Sequence, residues 1–266
     1  MAGRTLREYA QTTNLFESKP IGYLKIYEQY FESMQDQDVK LLELGVASGQ
    51  SILMWQHYFP NGTVVGVDLI PQYQPEDGDA RIRILQGAQN DTAFLTRVAH
   101  ENAPEGFDII LDDCSHIGEL AKISFWHLFT NHLKPGGIYA IEDWGTGYMG
   151  GYRNPYYPDG EFFDHTERET LLHRLANMML KTAPVEWREN GWFRKLLKRH
   201  QYTRRFKVHA YGLVGFVTQL IAEVGMGDIT SPAGMAKPTD PPEPQRASRF
   251  AHVLYAPGVV IVTKAS

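Results

Sequence analysis

Apolar positions follow two alternating rhythms between residues 40 and 143. Short, β-rich runs at 41–46, 63–69, 82–86, 107–111 and 138–141 are bounded by Gly, Pro or charge, as buried strands are. Between them, 51–59, 93–100 and 119–133 carry apolar residues at helical spacing. Strands alternating with helices predict an α/β fold with a mostly parallel sheet covered on both faces. Upstream, Ile21, Leu24, Ile26, Tyr27, Tyr30 and Phe31 recur at roughly helical spacing, so residues 1–38 read as a helical lead-in whose apolar face docks on the rest.

The alternation stops at Gly145. Residues 145–165 are rich in Gly, Pro and aromatic side chains, including Tyr148, Tyr152, Tyr156 and Phe162. A helix is expected over 167–181, then a basic amphipathic stretch over 187–207. A last sheet-covering helix is expected over 208–224, although Gly212 and Gly215 weaken it. A Pro-rich loop over 230–247 leads into two strands, 251–255 and 259–263, which form a hairpin across Ala256-Pro257-Gly258. The economical division is one domain over 1–266. It comprises the lead-in (1–38), a cofactor-binding core (40–143), a lid-like insertion (145–205) and a C-terminal part (208–264).

Composition narrows this only a little. Hydrophobic and charged contents of 43% and 21% are those of an ordinary globular protein. A formal charge of -5 gives no reason to expect a nucleic-acid partner. The single cysteine, Cys114, excludes an intrachain disulfide and fits a reducing cytoplasm. The polar first residues predict no signal peptide, and no apolar run approaches the ~20 residues of a membrane span.

The first strand runs into Glu43-Leu44-Gly45-Val46-Ala47-Ser48-Gly49 before its helix. Glycines there allow close backbone approach to a ligand, and the helix start offers free N–H groups. Glu43, Gly45 and Ser48 are therefore candidate cofactor contacts. Asp68 ends the second strand, where a carboxylate accepts from ribose hydroxyls. Ala47 stands where a dinucleotide turn needs its middle glycine, and the acidic Glu43 suits a sulfonium better than phosphates. S-adenosylmethionine is thus preferred to NAD. With the terminal hairpin, residues 40–143 and 208–264 resemble the class I S-adenosylmethionine-dependent methyltransferases, which implies a Rossmann-like fold with a seven-stranded sheet.

Two adjacent strands end in carboxylates: Asp112-Asp113-Cys114-Ser115-His116, and Glu142-Asp143. Asp113, Glu142 and Asp143 offer three hard oxygen ligands, a set that suits Mg²⁺. His116 is the side chain suited to accept a proton near neutral pH. Asp112 is either a cofactor contact or, like Ser115, a cap for the next helix. Cys114 reads as a small buried residue.

The runs Ile109-Ile110-Leu111-Asp112-Asp113-Cys114-Ser115-His116, Lys134-Pro135-Gly136-Gly137-Ile138-Tyr139-Ala140-Ile141-Glu142-Asp143 and Gln86-Gly87-Ala88-Gln89-Asn90-Asp91 resemble the magnesium-dependent sugar O-methyltransferases, which modify deoxysugars on macrolides and related natural products, and the similar mycobacterial saccharide methyltransferases. The resemblance implies that Asp113, Glu142 and Asp143 hold Mg²⁺ and that His116 is the general base. It also implies cofactor contacts at Gln89 and Asn90, with Asp91 a weaker candidate. It departs at Cys114, where glycine is usual, and through 145–205.

The implied reaction is methyl transfer from S-adenosylmethionine to a hydroxyl of a sugar or glycoside. A catechol or other small diol is an alternative acceptor, because it too offers neighbouring oxygens to Mg²⁺. A non-catalytic S-adenosylmethionine-binding accessory protein is the alternative of another class. The aromatic insertion suits either a sugar face or a contact between copies in a homo-oligomer. The cationic strip from Arg194 to Lys207 reads as a solvated helix face, with a membrane surface, an anionic acceptor or RNA as the other options.

Overall fold

The computed structural model describes residues 5–13, 19–75, 80–148, 212–225 and 247–266. The expected helix over 167–181, the basic strip and the Pro-rich loop lie outside those residues, as does all but the start of the insertion. The chain divides into two units. One comprises Met1–Ser115, Leu120–Asp143 and Leu220–Ser266, and the other His116–Glu119 and Trp144–Gln219.

Among the described residues the first unit holds seven strands: β1 (Lys40–Leu44), β2 (Thr63–Asp68), β3 (Ile82–Gln86), β4 (Phe107–Asp112), β5 (Leu133–Glu142), β6 (Phe250–Ala256) and β7 (Val259–Lys264). Their order across the sheet is β3-β2-β1-β4-β5-β7-β6. The first five strands run parallel, while β7 pairs antiparallel with β5 and with β6. Chain order reverses between β1 and β4, the place where such sheets open a crevice beyond the strand ends.

Among the described residues the α-helices are α1 (Leu6–Thr13), α2 (Ile21–Phe31), α3 (Gln50–Tyr58), α4 (Thr92–Asn102), α5 (Gly118–Asn131) and α6 (Leu213–Gly225). Asp91 starts α4 by accepting the Phe94 N–H at 3.0 Å, a role that accounts for its carboxylate without a ligand. Gly212 stays outside α6 and bridges to Ile117, and Gly215 falls in the first turn of that helix.

The predicted lead-in does dock. Tyr27 and Phe31 of α2 are fully buried and meet Trp55 of α3, with ring centroids 5.4 and 5.8 Å away. They share a core with Leu41, Ile109 and Ile261 of the sheet. Tyr139 of β5 meets Phe125 of α5 at 4.7 Å, and Phe129 meets Phe250 at 5.1 Å. Burying each large apolar side chain contributes roughly 1.5–3 kcal/mol, so both clusters hold the sheet firmly.

β1 ends at Leu44, two residues short of the expected 46. β5 begins at Leu133, not near 138, because Leu133 pairs with Phe107 before the register shifts to Ile109 opposite Ile138. Lys134-Pro135-Gly136-Gly137 is thus an irregularity within the strand, and not a turn ahead of it.

Candidate active site

The end of β1 is pinned from both sides. The Gly45 N–H donates to the Val67 carbonyl at 2.8 Å, and the Asp113 N–H donates to that of Leu44 at 2.9 Å. Gly45 has φ +95°, and a β-carbon there would overlap the backbone carbonyl of Asp113. Only glycine meets both demands without strain. Beyond this point a cavity of about 380 Å³ opens, walled by Gly45, Ala47, Ser48, Asp68, Asn90 and Asp113, among others. That size suits a small-molecule ligand.

Asp68 shapes the turn as well as lining the cavity. Its Oδ2 accepts the Val46 and Ala47 N–H groups at 2.9 and 3.2 Å, and its Oδ1 accepts that of Ile70 at 2.9 Å. Burial opposes its charge, but these backbone donors prevail and hold its pKa below the ordinary value.

Asp112 and Glu43, both expected as cofactor contacts, are not among the residues lining the cavity. Asp112 is buried, and its oxygens accept from Gln89 Nε2 (3.3 Å), Ser124 Oγ (3.2 Å) and the Tyr139 hydroxyl (3.4 Å). Gln89 does line the cavity, yet its side chain is engaged within the protein. Its Oε1 accepts the Ser115 N–H at 3.1 Å. Gln89 thereby ties Asp112 to the chain just after Asp113. The Cys114 thiol is pushed up to about 12 by burial and by the negative Asp112, Asp68 and Asp113, so it is protonated at neutral pH.

The acidic residues gather around a lysine that the sequence did not single out. Lys19, just ahead of α2, is 2% exposed, and its Nζ lies 2.6 Å from Glu142 Oε1, 3.2 Å from Asp113 Oδ2 and 3.7 Å from Glu43 Oε1. The Tyr27 hydroxyl donates to the same Glu142 oxygen at 2.7 Å, and that of Tyr23 donates to Asp143 Oδ1 at 2.6 Å. Carboxylate oxygens of Asp113 and Asp143 lie within 4.8 Å of each other. Burial alone would lower the Lys19 pKa, but the three carboxylates raise it. Burial pushes Glu43 up to about 7 against the pull of Lys19, and raises Glu142 likewise. Tyr23 also packs on the hairpin: a β-carbon at Gly258, φ +82°, would strike its ring.

His116 belongs to the second unit. Its carbonyl accepts from Thr146 Oγ1 at 3.3 Å, which in turn accepts the Leu213 N–H at 3.4 Å. Among the described residues, only Ala47, His116 and Asp143 are non-glycines with positive φ, at 44°, 54° and 53°. Such backbone costs about 1–3 kcal/mol per residue and persists where surroundings enforce it, commonly at working sites. All three fall on the turn or on the two acidic strand ends.

Reading the sequence alone misses Lys19, Tyr23 and Tyr27. Tyr27 was visible as part of an apolar helix face, but nothing in that spacing distinguishes a ring that also brings a hydroxyl to a buried acid.

No family model matches the chain. It is 40% identical over 133 residues to mycinamicin VI 2''-O-methyltransferase of Micromonospora griseorubida, covering 47% of this chain and 32% of that protein. It is 40% identical over 172 residues to the 8-demethyl-8-(2-methoxy-alpha-L-rhamnosyl)-tetracenomycin-C 3'-O-methyltransferase of Streptomyces olivaceus, covering 62% and 41%. The chain therefore spans about a third to two fifths of the length of these curated relatives. Among solved structures, the MycE methyltransferase of the mycinamycin biosynthetic pathway, in complex with Mg, SAH and mycinamycin VI, superposes with a TM-score of 0.62. Sequence identity is 24%, over 99% of this chain and 55% of that one. The fold is accordingly the Rossmann-like class I methyltransferase fold, and the homologues are sugar and macrolide O-methyltransferases.

Proposed function

We propose that this homologue of the antibiotic-glycoside O-methyltransferases transfers a methyl group from S-adenosylmethionine to a sugar hydroxyl of a glycoside, with the help of Mg²⁺. What chiefly supports this is the position of Asp113: one residue lines the cavity beside the Gly45 turn and also faces the acidic cluster. A methyl donor held by the turn would therefore lie beside the metal carboxylates.

Both groups fit the residues present. The turn puts Gly45, Ser48, Asp68 and Asn90 on the wall of a cavity large enough for a small-molecule ligand. Among the described residues, Glu43, Asp113, Glu142 and Asp143 gather four carboxyl groups around the ammonium of Lys19, and hard oxygen donors of this kind suit a divalent cation. Asp113, Glu142 and Asp143 would hold it. When bound, the cofactor supplies an already activated methyl and the metal makes an acceptor hydroxyl more acidic.

The chain's own residues do the rest. Asp68 fixes the turn, and Gln89 fixes the chain after Asp113, so donor and acceptor are positioned against rigid backbone. His116 would take the proton of the acceptor hydroxyl as its oxygen bonds to the methyl carbon and that carbon's bond to sulfur breaks, the electron pair leaving with S-adenosylhomocysteine. The chain works as a cytoplasmic homo-oligomer.

The test is transfer of labelled methyl from S-adenosylmethionine to a panel of glycosides, free sugars and catechols, with Mg²⁺ and with chelator. Glycoside methylation lost in chelator is expected. Methylation of catechols alone, or undiminished turnover in chelator, would overturn the proposal.

A further inference from the structure

Lys19 introduces a second cation into the acidic cluster. An ammonium taken out of water is costly unless closely paired, and here it is paired three ways. Two of its partners, Glu43 and Glu142, are as buried as Lys19 itself, whereas the Asp113 side chain is 28% exposed. The ammonium thus balances the inner half of the cluster and reaches into the outer half. Asp113 and Glu142, which it grips at 3.2 and 2.6 Å, are two of the three carboxylates assigned to Mg²⁺ above.

From this geometry we infer that Lys19 is a resident counter-cation that shares Asp113 and Glu142 with the divalent ion. It thereby sets the site's metal affinity below what the carboxylates alone would give. The inference rests on the metal assignment of the preceding section. Two cations on the same carboxylates repel one another, so the ammonium weakens the metal through its charge. In exchange it keeps the buried acids balanced when no metal is bound. Lys19 is in this sense a positioning residue, acting through the carboxylates and not on the acceptor.

Mn²⁺ serves as the probe, read by its electron paramagnetic resonance signal in titrations of the full chain without acceptor. Lys19→Met should bind Mn²⁺ roughly tenfold more tightly than wild type. Its melting temperature without metal should fall, and the upward shift on adding Mn²⁺ should exceed that of wild type. Lys19→Arg, which keeps the charge, should remain within about threefold of wild-type affinity. Should Lys19→Met fold poorly, Lys19→Met/Glu43→Gln removes one buried charge of each sign and should still bind Mn²⁺ more tightly than wild type. Equal or weaker Mn²⁺ binding by both Met variants, with wild type binding normally, overturns the counter-cation role while leaving the metal assignment standing. No Mn²⁺ binding by wild type overturns both.

Discussion

Gly45 and Asp113 stand so close that the glycine has no room for a side chain: its β-carbon would overlap the aspartate's carbonyl oxygen. The ends of β1 and β4, and with them the cavity floor, are set by this approach. Gly45→Ala should destabilise the fold by about 2 kcal/mol or more, from the clash together with the positive φ. It should also abolish S-adenosylhomocysteine binding in calorimetric titration. A variant with wild-type affinity would refute the placement of the cofactor at this turn.

His116→Ala separates binding from chemistry. Affinity for S-adenosylhomocysteine should be kept within a few-fold, while turnover falls by ~10²-fold or more, the usual worth of a positioned base. Equal turnover in variant and wild type would remove His116 from its role.

Tyr27→Phe tests the buried acid. The phenol donates to Glu142 at 2.7 Å with both groups shielded from water. Losing that donor leaves a buried carboxylate less satisfied and should cost about 1–3 kcal/mol in urea denaturation. A midpoint shift near zero would mean that Lys19 alone satisfies Glu142.

Much of this architecture was legible before the structure. Strand periodicity located all seven strands, β3 to the residue, because each is bounded by sharp changes in polarity. The two acidic strand ends were legible for the same reason. What was not legible depends on long-range placement. Asp112 and Asp113 are neighbours in sequence and alike in chemistry, yet the pleat sends one into a buried network with Gln89, Ser124 and Tyr139 and leaves the other on the cavity wall. Lys19 escaped notice because a lysine before a proline carries no local mark of burial. Only the docking of α2 gives it one.

Stability should depend on pH through two histidines far from the cavity. His127 and His132 share Thr96 Oγ1, at 2.9 and 3.4 Å from their Nε2 atoms. Burial lowers both pKa values, and His132 is lowered further by the positive charge of His127, His100 and Lys264. Unfolded histidine titrates near 6.5, so below that pH the unfolded chain takes up protons that the folded one resists. This contribution is complete above about pH 6.5 and is lost as pH falls through the window below it. Between pH 7.5 and 5.5 the urea midpoint of wild type should fall relative to that of His127→Gln/His132→Gln. An identical drop in the double variant would assign the effect elsewhere.

The packing of Tyr23 against Gly258 brings the hairpin turn onto the ring whose hydroxyl steadies Asp143. A nascent polypeptide has made every carboxylate of the cluster long before it makes that turn. The packing that backs the Tyr23 ring is therefore completed only late in synthesis, and a ribosome stalled short of position 258 would carry the acids and Tyr23 without the turn that lies against that ring.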